Sequence, residues 1–116
     1  MRFAHHKARQ KLGKAFHTLA IAPEEVRFRV ARAYVVLLHL KLDDFPSHLR
    51  PDFKWIMAEL EKREPYQSGD GYWTIRRLKN PKGIEIAKRI ADLYYRLDDL
   101  ARHAIRFSPV TGLPEA

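Results

Sequence analysis

Residues 72–89 carry six cations, Arg76, Arg77, Lys79, Lys82, Lys88 and Arg89, against one acid, Glu85. Lysine and arginine at that density do one kind of chemistry well. They hold anions, phosphate above all, through charge-assisted N–H bonds. Lys79 and Lys82 flank Asn80-Pro81, and a cap residue followed by proline is a helix start. A helix N-terminus already carries partial positive charge, so two lysines there conflict with the dipole unless an anion joins them. Tyr72 and Trp73 lie just upstream, where their rings could stack on bases or sugars. The alternative is that Trp73, Ile75 and Leu78 belong to the core and the cations form a solvated face.

A second basic set is N-terminal. Lys7, Lys11 and Lys14 fall at i, i+4 and i+7 on one helical face, with Arg2 and Arg9 nearby and no acid before Glu24. Such a stripe tracks a phosphate backbone, lies on an anionic membrane, or keeps a helix soluble. Its apolar side is mostly alanine with Leu12, Phe16 and Leu19, too weak for membrane insertion, so nucleic acid is the better functional partner. Arg27, Arg29 and Arg32 form a third set, which Glu24 and Glu25 can pair at helical spacing. That set is read as structural.

Enzyme chemistry finds little support. The six histidines include no His-x-x-x-His pair and no zincin motif. His5-His6 resembles a surface pair, and His39, inside an apolar run, reads as a hydrogen-bonded helix histidine. Asp43-Asp44 looks like turn chemistry and Asp98-Asp99 like a solvated face, since helical neighbours point about 100° apart and cannot share a substrate. The five glycines never form a phosphate-cradling loop, and the absence of cysteine removes thiol catalysis, thiolate metal sites and disulfides. The reading is therefore a non-enzyme with no metal and no cofactor.

The elements that must position these residues are helices. Ala8, Leu12, Ala15, Phe16 and Leu19 mark one over about 4–20, interrupted by Gly13 at a cost of about 1 kcal/mol. Pro23 and the acids after it open a second, with Val26, Val30, Tyr34, Leu37 and Leu38 on its apolar side. A five-residue alternation at 26–30 imitates a strand, but no turn or partner strand follows it. Pro46 predicts a turn at 46–50, and Pro51 opens a third helix to about Arg63. Residues 64–71 read as a loop, followed by a short helix over 72–79 capped by Asp70. The last helix spans about 81–105, with Ile86, Ile90, Leu93, Leu97, Leu100 and Ala104 at nearly strict heptad spacing. Its length of about 37 Å suits the spine of a domain.

The chain has 116 residues, 46% of them hydrophobic, enough for one packed core and too few for two. The expected fold is all-α, a compact bundle of four to five helices over 1–107 with a non-helical tail at 108–116. The longest apolar run, Ala33 to Leu38, is six residues against about 20 for a bilayer span. No apolar stretch follows the first charges as a signal peptide requires. The expected location is cytoplasmic, in a prokaryote or its phage. With 22 basic and 14 acidic side chains the net charge is +8 and the pI about 10.0, a balance that calls for an anionic partner.

In size, charge and helicity the chain is similar to small helical subunits that line the nucleic acid of ribonucleoprotein assemblies such as prokaryotic defence complexes. No shared motif accompanies that likeness. A helix-turn-helix is disfavoured by the length of the last helix, and RNA-recognition and KH modules by the lack of strands. The leading expectation is a non-catalytic protein that binds RNA or DNA through Arg76, Arg77, Lys79 and Lys82, then Lys7, Arg9, Lys11 and Lys14, with Trp73 stacking. The alternative is an interaction module that docks on a protein partner or dimerises through the last helix, by its heptad or by Tyr94 and Tyr95. A membrane is not an expected partner.

Overall fold

A computed structural model describes residues 5–21, 25–69, 71, 73–75 and 77–106. Four α-helices lie among them: α1 (His6–Ile21), α2 (Val26–Leu37), α3 (Arg50–Glu61) and α4 (Asn80–Arg106). Two single 3-10 turns, Leu42–Asp44 and Ser47–Leu49, join α2 to α3, and a two-stranded hairpin joins α3 to α4. The all-α expectation holds. The tail over 108–116 and the helix-opening residues Pro23 and Glu24 lie outside the described residues.

The core is the sum of four stripes. Ala8, Leu12, Ala15 and Leu19 of α1 are buried, as are Val26, Val30, Tyr34 and Leu37 of α2. The alternation at 26–30 is helical after all. Phe53, Ile56 and Leu60 bury the inner side of α3, and Phe45, in the turn before it, stacks on Phe53 at 4.5 Å between centroids. In that turn the Lys41 N–H donates to the Asp44 carboxylate at 2.7 Å, the local bond expected of adjacent acids at a turn.

α4 contributes Ile86, Ile90, Leu93, Leu97 and Ala101, all fully buried. The heptad reading fails at its end, where Leu100 is only half-buried and Ala101 takes the core position. A straight helix with 3.6 residues per turn drifts about 20° per heptad, so the buried stripe slips by one residue. α1, α2 and α3 all pack on α4. Gly13 earns its place in α1 here: a Cβ would sit 3.1 Å from Cε1 of Tyr94, so the two helices approach where α1 has no side chain.

The segment between α3 and α4 corrects the sequence reading. Pro65–Gln67 (β1) and Trp73–Ile75 (β2) pair antiparallel, Pro65 opposite Ile75 and Gln67 opposite Trp73. Where a loop and a short helix were expected there is a hairpin. Trp, Thr and Ile favour extended backbone, and in a strand Trp73 and Ile75 point to the same side. Ile75 is thereby fully buried and the Trp73 ring meets Tyr34 edge-on at 6.0 Å. A helix would have thrown these two side chains apart. Gly71, at φ +90°, turns the chain, and the Gln67 side chain donates to its carbonyl at 2.9 Å. Asp70, the expected cap, lies outside the described residues.

Two substitutions test this packing. Leu93→Ala should cost about 2–5 kcal/mol in urea denaturation, as a large-to-small change at a closed core site. A loss below about 0.5 kcal/mol would place the stripe at the surface. Glu64, just past α3, holds a left-handed φ of 54°. Glu64→Gly should therefore stabilise by about 0.5–1 kcal/mol, where a destabilised variant would contradict the turn geometry.

Candidate nucleic-acid interface

α4 begins where expected, with the Gly83 N–H donating to the Lys79 carbonyl at 2.9 Å and Pro81 in its first turn. That turn holds no acid. Arg77 and Lys79 stand exposed just before the helix, and neither meets a carboxylate among the described residues. Arg76 and Tyr72 lie outside the described residues.

Lys82 behaves differently. Its ammonium lies 2.6 Å from Glu85 and 3.4 Å from Glu59 of α3. The anion that resolves the conflict at the helix start is thus internal. Glu59 is nearly buried and also takes Lys62 and Arg63, whose guanidinium donates to the Glu59 backbone carbonyl at 2.6 Å as well. The hydrogen bond from Lys62, joined by that from Lys82, outweighs burial and holds the Glu59 carboxyl below the ordinary range. The Lys82 ammonium is raised by Glu85 first, then Glu59, against its partial burial.

Beside Lys82 lies a feature that spacing did not reveal. Trp55 of α3 fills the seam between α3 and α4, with the Arg89 guanidinium 4.5 Å above its ring centroid and the Lys82 ammonium at 5.8 Å. Arg89 makes no ion pair among the described residues. A guanidinium held over an indole and meeting no carboxylate is suited to a phosphate. The available signal was that Trp55 sits about 100° away from Ile56, off the apolar stripe of its helix.

The N-terminal set is answered in part by acids from elsewhere in the chain. Arg9 pairs with Asp98 of α4 at 2.8 Å, and Lys7 lies 3.7 Å from Asp44. Of the four predicted contacts there, Lys11 and Lys14 stay without a carboxylate, Lys11 half-buried and Lys14 exposed. Asp98 is nearly buried, which corrects its reading as a solvated residue; Arg102 reaches it too, at 2.7 Å. Burial alone would raise the Asp98 carboxyl, but hydrogen bonds from Arg102 and Arg9 pull it below its usual value. Asp98 and Lys82 are sixteen positions apart on α4, about 24 Å along its axis. The two basic sets therefore sit towards opposite ends of that helix and form no single patch.

Trp73 is half-buried against Tyr34 and serves the hairpin, its ring engaged in the core. Arg27 pairs with Glu25 at 3.5 Å, and Arg29 donates to the Leu19 carbonyl at 2.9 Å, tying α2 to the end of α1. His39 stands exposed in the turn after α2 and not within the helix. Among the described residues no three His, Asp or Glu side chains form a group able to hold a metal ion, and no helix is long and apolar enough to cross a membrane. No protein-family model, curated protein or solved structure matches the chain.

Both buried carboxyls have depressed pKa values, so their contribution is complete above the ordinary carboxylate range and is lost as pH falls through the folded-state values. Asp98→Ala should cost about 1–3 kcal/mol near neutral pH, the scale of hydrogen bonds to a charged group. It should also flatten the acid limb of the stability profile. Urea melts from about pH 7 to about pH 3 check this; an acid limb as steep as the parent's would remove Asp98 from the account.

Proposed function

We propose that the protein binds nucleic acid without catalysis, through a basic edge formed by Arg77 and Lys79 before α4 and by Arg89 on Trp55. The observation that carries this reading is the sorting of charge along α4. Lys82 and Arg9 are occupied by Glu59 and Asp98, while Arg77, Lys79 and Arg89 meet no carboxylate among the described residues. Free cations beside an exposed, acid-free helix start favour phosphate by charge, by dipole and by N–H geometry together. Lys82 supports the edge from behind by holding α3 to α4. Its own phosphate contact would have to displace Glu59 or Glu85.

Contacts of this kind read the sugar–phosphate backbone and carry no base sequence. The matching role is that of a cytoplasmic helical subunit lying along RNA or DNA in a larger assembly.

Binding to a fluorescent single strand or duplex should weaken linearly with the logarithm of salt. Three phosphates imply a log–log slope of about −2 to −3. The double variant Arg77→Gln, Lys79→Gln should lower that slope by about 1.5–2 and leave the fold intact. A slope unchanged in the double variant removes this edge as the site, and no salt-dependent binding by the parent removes the function.

A further inference from the structure

We infer that the outer face of α4 is a self-complementary interface, and that its occupant is a second copy of this chain packed antiparallel across a two-fold axis. The inference does not rest on the nucleic-acid reading and uses different residues.

α4 buries one side against the core, α1 lies along one flank and α3 along the other. Gly13 of α1 faces Tyr94, and Asp52 of α3 pairs with Arg96 at 2.8 Å. The ridge between those flanks carries Ile84, Lys88, Asp92 and Tyr95, spaced four, four and three so that they share one helical face. Two of them are large groups with much of their surface exposed: Ile84 at 47%, and Tyr95 at 59% with its ring edge-on to Phe16 at 5.3 Å. Single exposed apolar residues need no explanation, but two on one ridge with charges between them form a pattern.

The charges supply the choice of partner. Lys88 has no carboxylate partner among the described residues, and Asp92 has only Arg96, at 3.8 Å. With a two-fold axis at the level of Ile90, antiparallel α4 helices bring Lys88 of each copy opposite Asp92 of the other. The same axis brings Ile84 within one position of the level of Tyr95. Every contact then occurs twice, as an isologous interface requires. A parallel arrangement would set Lys88 against Lys88 and lose both ion pairs. The surface also has room for the tyrosine. A groove of about 290 Å³ beside Ile84 is lined mainly by Phe16, Leu19, Val26, Ala87 and Ala91, together with Arg29 and Lys88. It is a mostly apolar slot next to the position that the incoming Tyr95 ring reaches.

The test is the mass of the full chain, freed of nucleic acid by nuclease and high salt, measured by light scattering and sedimentation at rising concentration. The expected particle is about 27 kDa, twice the 13.7 kDa of one chain. Lys88→Asp and Asp92→Lys should each weaken dimerisation about tenfold or more by setting like charges face to face. Combined in one chain, the two changes should restore it. Ile84→Ser should weaken it without altering any charge. Both charged positions are exposed, and circular dichroism confirms that each variant folds. A parent that stays at 13.7 kDa up to about millimolar concentration overturns the inference. So does a dimer indifferent to either charge reversal, or a double reversal that fails to rescue.

Discussion

Burial of one stripe on α4 organises the molecule. Ile86, Ile90, Leu93 and Leu97 are completely enclosed, and α1, α2 and α3 each pack on that helix. At about 25 cal/mol for each Å² of apolar surface, burying such side chains is the dominant favourable term. Once α4 is laid down, the positions of the remaining polar groups follow from it. Its two ends lie far apart, and at each a nearly buried carboxylate fastens a neighbour: Asp98 holds Arg9 of α1, and Glu59 of α3 holds Lys82. These pairs add less by net attraction than by geometry, because removing one member would leave its partner poorly solvated.

That frame divides the cations into two populations. One is engaged inside the protein by carboxylates or, as with Arg29, by a backbone carbonyl, and the other meets no carboxylate among the described residues. A net charge of +8 says only that the second population exists. Which residues belong to it depends on tertiary pairing, and the outcome moves the candidate edge from Lys82 and Arg9 towards Arg77, Lys79 and Arg89. The antiparallel arrangement inferred for α4 leaves this edge open, because Arg89 turns towards Trp55 and α3 while Lys88 points away from the core.

What the sequence reveals and what it hides divide along contact distance. The four helices were legible because their signals are local: apolar spacing near 3.6, proline at the openings, and a polar residue before Pro81. The hairpin was not, since three-residue strands offer barely one alternation, and the glycines at 69 and 71 read equally well as plain loop. Asp98 looked solvated because its partner Arg9 is 89 positions away. Lys82 looked free because Glu59 belongs to another helix. The slip from Leu100 to Ala101 was hidden because heptad and helical periods diverge only after several turns. Trp55 sits off the apolar stripe of its helix, and that displacement carries its ring into the seam beside Arg89.

The central claim is that Arg77, Lys79 and Arg89 form the binding edge, while Arg9 and Lys82, held by Asp98 and Glu59, do not. Its most direct measurement is an amide and side-chain NMR titration of the full chain with a short oligonucleotide. Shifts should concentrate on Arg77, Lys79, Arg89 and the Trp55 indole N–H, while Arg9 and its partners around Asp98 stay unmoved. Shifts centred on the Arg9–Asp98 end, or spread evenly over every lysine and arginine, would contradict it.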